Sequence, residues 1–166
     1  MNDMAEEDPA LIATLNLLDS TYRHWTGEHL PCALIDPHSR AAWIHREAPY
    51  SLVFHNNDED PVFTYGNECA LRCFKYSREV FCGMPSRFSA SSVDREARQA
   101  LLKIVETQGV ASGYTGYRVD RHGHAFMIYD GIVWEVRDDT GTRLGQAALF
   151  WPHPDTAPRI LKVDPR

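Results

Sequence analysis

GYTGYRV at residues 113–119, HAFMIYDGIVWEV at 124–136 and RLGQAALFW at 143–151 follow one another with breaks of only four and six residues. Each run is rich in β-branched and aromatic residues, and the intervening DRHG and DDTG supply glycine for tight turns. The stretch therefore predicts three consecutive antiparallel strands. In the middle one, uninterrupted alternation sets Phe126, Ile128, Asp130, Ile132, Trp134 and Val136 on one face. The tail beyond Trp151, WPHPDTAPR, carries too many prolines to continue a sheet.

Toward the N-terminus, Arg95–Gln108 reads as a helix with Ala97, Leu101, Ile104 and Val105 on its apolar face, Asp94 as N-cap and Gly109 as its stop. Asn67–Gly83 shows helical steps through Ala70, Leu71, Phe74 and Val80, ended by Pro85. Tyr50–His55 and Val62–Tyr65 are β-prone runs joined by NNDED and Pro61, a hairpin. Before them, Pro31, Pro37 and Pro49 break the chain around a short helix at Arg40–Glu47. Leu11, Ile12, Leu15, Leu18 and Tyr22 form one stripe of an amphipathic helix over Pro9–Arg23. That stripe needs a cover, either its own domain or a second copy of the chain, and a homodimer through Leu11, Leu15 and Leu18 is one expectation. The order predicts an α+β fold: a five-stranded antiparallel sheet with short helices on one face and an added N-terminal helix. It divides into an extension over 1–48, a core over 49–151 and a tail over 152–166.

With 166 residues, 43% hydrophobic and 11% aromatic, the chain has the makings of one ordinary core. No apolar run reaches the roughly 18 residues of a membrane helix. MNDMAEEDPA is acidic where an export signal starts positive, so the expected compartment is the cytoplasm. A net charge of −6 argues against direct nucleic-acid binding, which draws on clustered Lys and Arg. Cys32, Cys69, Cys73 and Cys82 lack paired CxxC spacing and are expected as free thiols.

YGNECALRCFKYSREVFCGM at Tyr65–Met84, an Asn before an Ala- and aromatic-containing helix, together with the element order, resembles a PAS domain. YGN at Tyr65–Asn67, PSRFSA at Pro85–Ala90, the strand carrying Asp130, Val133 and Trp134, and GQAALF at Gly145–Phe150 resemble the MEKHLA family more closely. This PAS-related family occurs as short bacterial proteins and at the C-terminus of plant class III homeodomain leucine-zipper proteins. The resemblance spans residues 15–151. It implies a PAS-like fold and a sensing or protein-interaction module that relays to a separate partner protein, without fixing a ligand.

Cofactor chemistry can be checked residue by residue. GMPSRFSA at Gly83–Ala90 resembles the GxNCRFLQ motif of light-sensing flavin domains at its Gly, Arg and Phe. Ser86 stands at the adduct position and Pro85 at the Asn, so no cysteinyl photocycle can occur there. Haem in such domains is held by a His on the longer helix, and Arg95–Gln108 contains none; His55, at the end of the first strand, is the remaining candidate. The residues argue against both groups and leave any cofactor unnamed. His122 and His124 near Asp120 read as a solvated turn rather than a zinc site. Cys69 and Cys73, one helical turn apart, read as small hydrophobes before they read as a redox pair.

Arg87 is the first ligand-binding candidate, because its fork can hold a carboxylate or phosphate in two hydrogen bonds. The alternative is a salt bridge to Asp130 or Glu135. Asp130, among apolar neighbours, either meets such a partner or points into a polar cavity. Tyr117, Trp134, Gln146, His55 and Asn67 complete the candidate lining. Ser86, His55 and Asp130 could converge, yet no nucleophile elbow is present. The expectation is a small-molecule sensor or interaction module; the alternative is a small cytosolic enzyme holding an acidic metabolite on Arg87.

Overall fold

The computed structural model describes residues 8–91 and 94–154. In chain order it contains α1 (Pro9–Thr26), α2 (Pro37–Arg46), β1 (Ser51–Asn56), β2 (Phe63–Gly66), α3 (Glu68–Phe74), α4 (Arg78–Phe81), a 3-10 turn (Ser86–Ser89), α5 (Arg95–Gln108), β3 (Val110–Val119), β4 (Ala125–Arg137) and β5 (Arg143–Trp151). The strands form one five-stranded sheet in the order β2-β1-β5-β4-β3, and every neighbouring pair is antiparallel. The acidic residues 1–7 and the proline-rich tail from residue 155 lie outside the described residues.

Helix α1 begins because Asp8 accepts the backbone N–H groups of Ala10 (3.1 Å) and Leu11 (3.3 Å) with Pro9 at the first turn, and it ends at Gly27 in the left-handed region. Its stripe of Ile12, Leu15, Leu18 and Tyr22 is buried on the chain's own sheet, with Leu52, Trp134, Val136, Ala147, Leu149 and Trp151. Two indoles fasten it: Trp134 Nε1 donates to Thr21 Oγ1 at 3.0 Å, and Trp25 Nε1 to the Glu135 carbonyl at 2.8 Å. Leu15 and Leu18 keep 1% and 0% of their surface. Each such side chain contributes about 1.5–3 kcal/mol on burial. The stripe is therefore covered within one chain, which corrects the expectation that it packs between subunits.

The opposite face carries α3, α4, the 3-10 turn and α5. Phe63, Phe74, Phe81 and Phe150 are buried there, with Phe63 stacked on Phe81 at 4.3 Å between centroids and Phe74 edge-on to Phe150 at 6.0 Å. Leu101 and Val105 of α5 pack on Ala111 and Val133.

Strand β4 does not alternate cleanly. Its register with β5 shifts between Tyr129 and Ile132, and Asp130 sits at φ 50° in that irregularity. The extra residue reverses the parity of the strand. Ile128 lies with the phenylalanine cluster, whereas Ile132, Trp134 and Val136 lie under α1. The single face expected for Phe126 through Val136 is thus two faces joined by a bulge.

Candidate functional site

Between the sheet and α3, α5 and the 3-10 turn lies a cavity of about 50 Å³. Val53, Phe74, Leu101, Ile128, Val133 and Phe150 make its apolar walls, while His55, Ser86, Arg98, Tyr114 and Arg118 bring polar groups to it. An apolar enclosure with a few convergent polar groups is the usual make-up of a small-molecule site.

Arg98 projects from α5 because it precedes Leu101 by three residues and Val105 by seven, on the stripe that faces the sheet. Its Nη2 donates to Ser86 Oγ at 3.0 Å. Among the described residues no carboxylate pairs with it. Burial and the neighbouring Arg118 lower its pKa to about 10. Arg118 donates to Tyr114 Oη at 3.2 Å and lies 3.9 Å from Asp94. Asp94 stands at the head of α5, but its carboxylate does not cap the helix. It accepts instead from the Tyr114 hydroxyl and from Tyr117 N–H at 3.1 Å, so the expected cap is a latch from α5 to β3. Gly116 makes room for it: a Cβ there would come within 2.5 Å of the Tyr114 hydroxyl oxygen and 2.6 Å of Asp94 Oδ2.

His55 donates from Nδ1 to the Asn56 carbonyl at 2.9 Å, which leaves Nε2 with its lone pair. Burial holds its pKa below the ordinary value, so it is neutral at neutral pH. Gln146 pairs with His55 on one side and Glu135 on the other, and its buried Oε1 has no hydrogen-bond partner among the described residues.

The other candidates fall elsewhere. Arg87 is 59% exposed and pairs with Asp60 at 3.1 Å, stacked on Phe88. Its neighbour Ser86, 1% exposed, faces inward. Arg87 points the other way, to Asp60, and meets neither Asp130 nor Glu135. Glu135 is itself buried and pairs with Arg137 at 2.7 Å and with Arg143. Asp130 points to solvent at the bulge rather than among apolar residues, and Tyr117 is 46% exposed. Trp134 is fully buried under α1, across the sheet from the cavity. Asn67 is buried with four hydrogen bonds: Oδ1 accepts from Leu52 N–H (3.0 Å) and Ala70 N–H (3.1 Å), and Nδ2 donates to the Ile44 (2.9 Å) and Tyr50 (3.0 Å) carbonyls. Its capacity is spent on clipping β1, α2 and α3 together.

Of the ligand-binding candidates Arg87, Asp130, Trp134, Tyr117, Gln146, His55 and Asn67, His55 alone lines the cavity. Ser86 does too, but Asp130 is remote from it, so the three do not form a catalytic set. Arg98, Arg118 and Tyr114 were missed as candidates; the signal for Arg98 was its place on the apolar stripe of α5. Cys69 and Cys73 share a hydrogen bond that pushes the Cys69 thiol up and the Cys73 thiol down. His122 and His124 are exposed at a hairpin tip, where Asp120 accepts their backbone N–H groups at 2.8 and 3.0 Å. Among the described residues no group of three His, Cys, Asp or Glu could hold a metal, and no helix is long and apolar enough to cross a membrane.

The family model of the MEKHLA domain matches residues 12–153. The chain belongs to the MEKHLA family. The match takes in α1 and α2 as well as the sheet, so the helical cover of the first face falls within the domain. No curated protein is similar enough to count as a relative. Solved structures similar to this MEKHLA domain include the PAS domain of a Colwellia psychrerythraea protein, 16% identical with a TM-score of 0.60 over 72% of this chain and 99% of that one. The LOV domain of the Erythrobacter litoralis EL346 blue-light activated histidine kinase is 21% identical with a TM-score of 0.53, over 63% and 95%. The dark structure of the blue-light photoreceptor Aureochrome1 LOV gives 17% and 0.54, over 68% and 82%. At these identities the likeness establishes the PAS/LOV fold and nothing beyond it.

Proposed function

We propose that this MEKHLA domain is a small-molecule sensor that reports to a separate partner protein. The supporting observation is the cavity: on one side of a well-packed sheet, apolar walls enclose about 50 Å³ and polar groups converge on it from β1, the 3-10 turn, α5 and β3. That is far below the roughly 300–1,000 Å³ of sites for drug-sized ligands. The fitting ligand is compact: even a short carboxylic acid needs α5 to shift slightly outward from this volume, and a flavin would require a much larger movement of the helices. A ligand inserted beneath α5 bears on the Asp94 latch at its head, which offers a route from binding to a changed outer surface. The catalytic alternative, with Arg87 anchoring an acidic substrate, loses its anchor because Arg87 is paired on the surface.

Native mass spectrometry beside the denatured mass and the visible absorption spectrum tests the proposal. The expected result is a small adduct mass, released on denaturation, with no flavin or haem band. A bare native mass that stays bare across a library of small metabolites contradicts it.

A further inference from the structure

We infer that the cavity is a receptor for a small monocarboxylate with an apolar body, its carboxylate on Arg98 and its tail against Leu101, Ile128 and Val133. This rests on the ligand-sensor reading above and gives the ligand a chemical class.

The argument is one of charge and shape. Two guanidiniums, Arg98 and Arg118, line the cavity, and Asp94 is the carboxylate beside them, already engaged by Tyr114, Tyr117 and Arg118. Arg98 has five N–H donors and directs one at Ser86 Oγ. A cation held away from water with donors to spare is costly unless an anion completes it. Glu135 does not serve, because it is clamped by Arg137 and Arg143. The planar fork of Arg98 matches a carboxylate, and Ser86 Oγ–H is free to add a further donor. Opposite this polar end the walls are apolar, which a compact hydrocarbon body satisfies and a polyanion does not.

Isothermal titration calorimetry with hexanoate, 1-hexanol, hexylamine and inorganic phosphate tests the inference on the full chain. Hexanoate should bind at least about tenfold tighter than 1-hexanol, the value of one charge-assisted hydrogen bond. Arg98→Gln should remove that preference while leaving 1-hexanol affinity within about twofold. Arg98→Lys should retain part of the preference, because it keeps the charge and loses the fork. Arg87→Gln should change nothing. Equal affinity for hexanoate and 1-hexanol, preference for hexylamine, binding of phosphate alone, or an Arg98→Gln variant that keeps the preference would overturn the carboxylate assignment. In the first two cases the cavity would still be a ligand site. Failure of all four probes to bind would overturn the carboxylate assignment alone, whereas the ligand-sensor reading falls only if the native mass also stays bare across the metabolite library.

Discussion

The two faces of the sheet are finished differently. Under α1 and α2, one continuous cluster runs from Ile12 to Trp151, the indole N–H groups of Trp25 and Trp134 are both satisfied, and Trp134 is wholly enclosed. Under α5 and α3 the buried residues divide into two smaller clusters with a cavity where they meet, lined by Arg98, which pairs with no carboxylate among the described residues. The first arrangement spends its apolar surface on stability. The second leaves space and an uncompensated charge, which a natural core tolerates where a ligand is meant to enter.

The largest break in this comparison should come from Trp134→Ala. It empties the packed face and removes the hydrogen bond that Thr21 Oγ1 accepts, and we expect a loss of about 3–5 kcal/mol in urea unfolding, with ligand affinity unaffected in the protein that remains folded. Gly116→Ala acts on the other face. Its Cβ collides with the Asp94–Tyr114 latch, so stability should fall by about 1–3 kcal/mol and amide exchange should quicken at the head of α5 while α1 stays protected.

Lowering the pH should bear mainly on two histidines, one at α2 and one at the cavity. His45, hydrogen-bonded to Tyr65 Oη at 2.8 Å, has its pKa lowered from 6.5 to about 4 by burial and by Arg78, and burial lowers His55 as well. The unfolded chain binds these protons first. Stability is therefore complete above about pH 6.5 and declines as the pH falls toward 4. His45→Phe should flatten part of that decline in midpoints measured by circular dichroism. An undiminished slope would place the titration elsewhere. The carboxylates held low by hydrogen bonds, Asp36, Asp120 and Asp138, weaken the fold only at still lower pH.

The smallest effect is the sharpest discriminator. A structural ion pair broken at one partner costs about 3–5 kcal/mol, whereas replacing a half-buried cation that has no carboxylate partner among the described residues by an apolar chain removes a desolvation cost and should be close to neutral. Arg98→Met should accordingly leave stability within about 1 kcal/mol of the parent, on the stabilising side. A large loss would make Arg98 part of the scaffold.

The fold was legible because its signals are local. Alternating strands, glycine turns and the Gly109 helix stop are written in adjacent residues. The β4 bulge was not, since the insertion of Asp130 into the ladder depends on pairing with β5, and every face assignment beyond it inverted as a result. The α1 stripe announced that it would be covered without saying by what. The site was read one position off for a similar reason: a motif resemblance drew attention to Arg87, while the 3-10 turn points Ser86 inward and leaves the cavity's charge to Arg98, an arginine that looks like a solvated helix residue until its spacing from Leu101 and Val105 is counted.

The most direct test of the divided sheet is a two-dimensional amide NMR titration of the labelled chain with benzoate, benzyl alcohol and benzylamine in turn. The account predicts shifts gathered at Ser86, Leu101, Gly131 and Val133, strongest with benzoate, and none along α1 or α2. Shifts on the α1 face, or no shifts with any of the three, would contradict it.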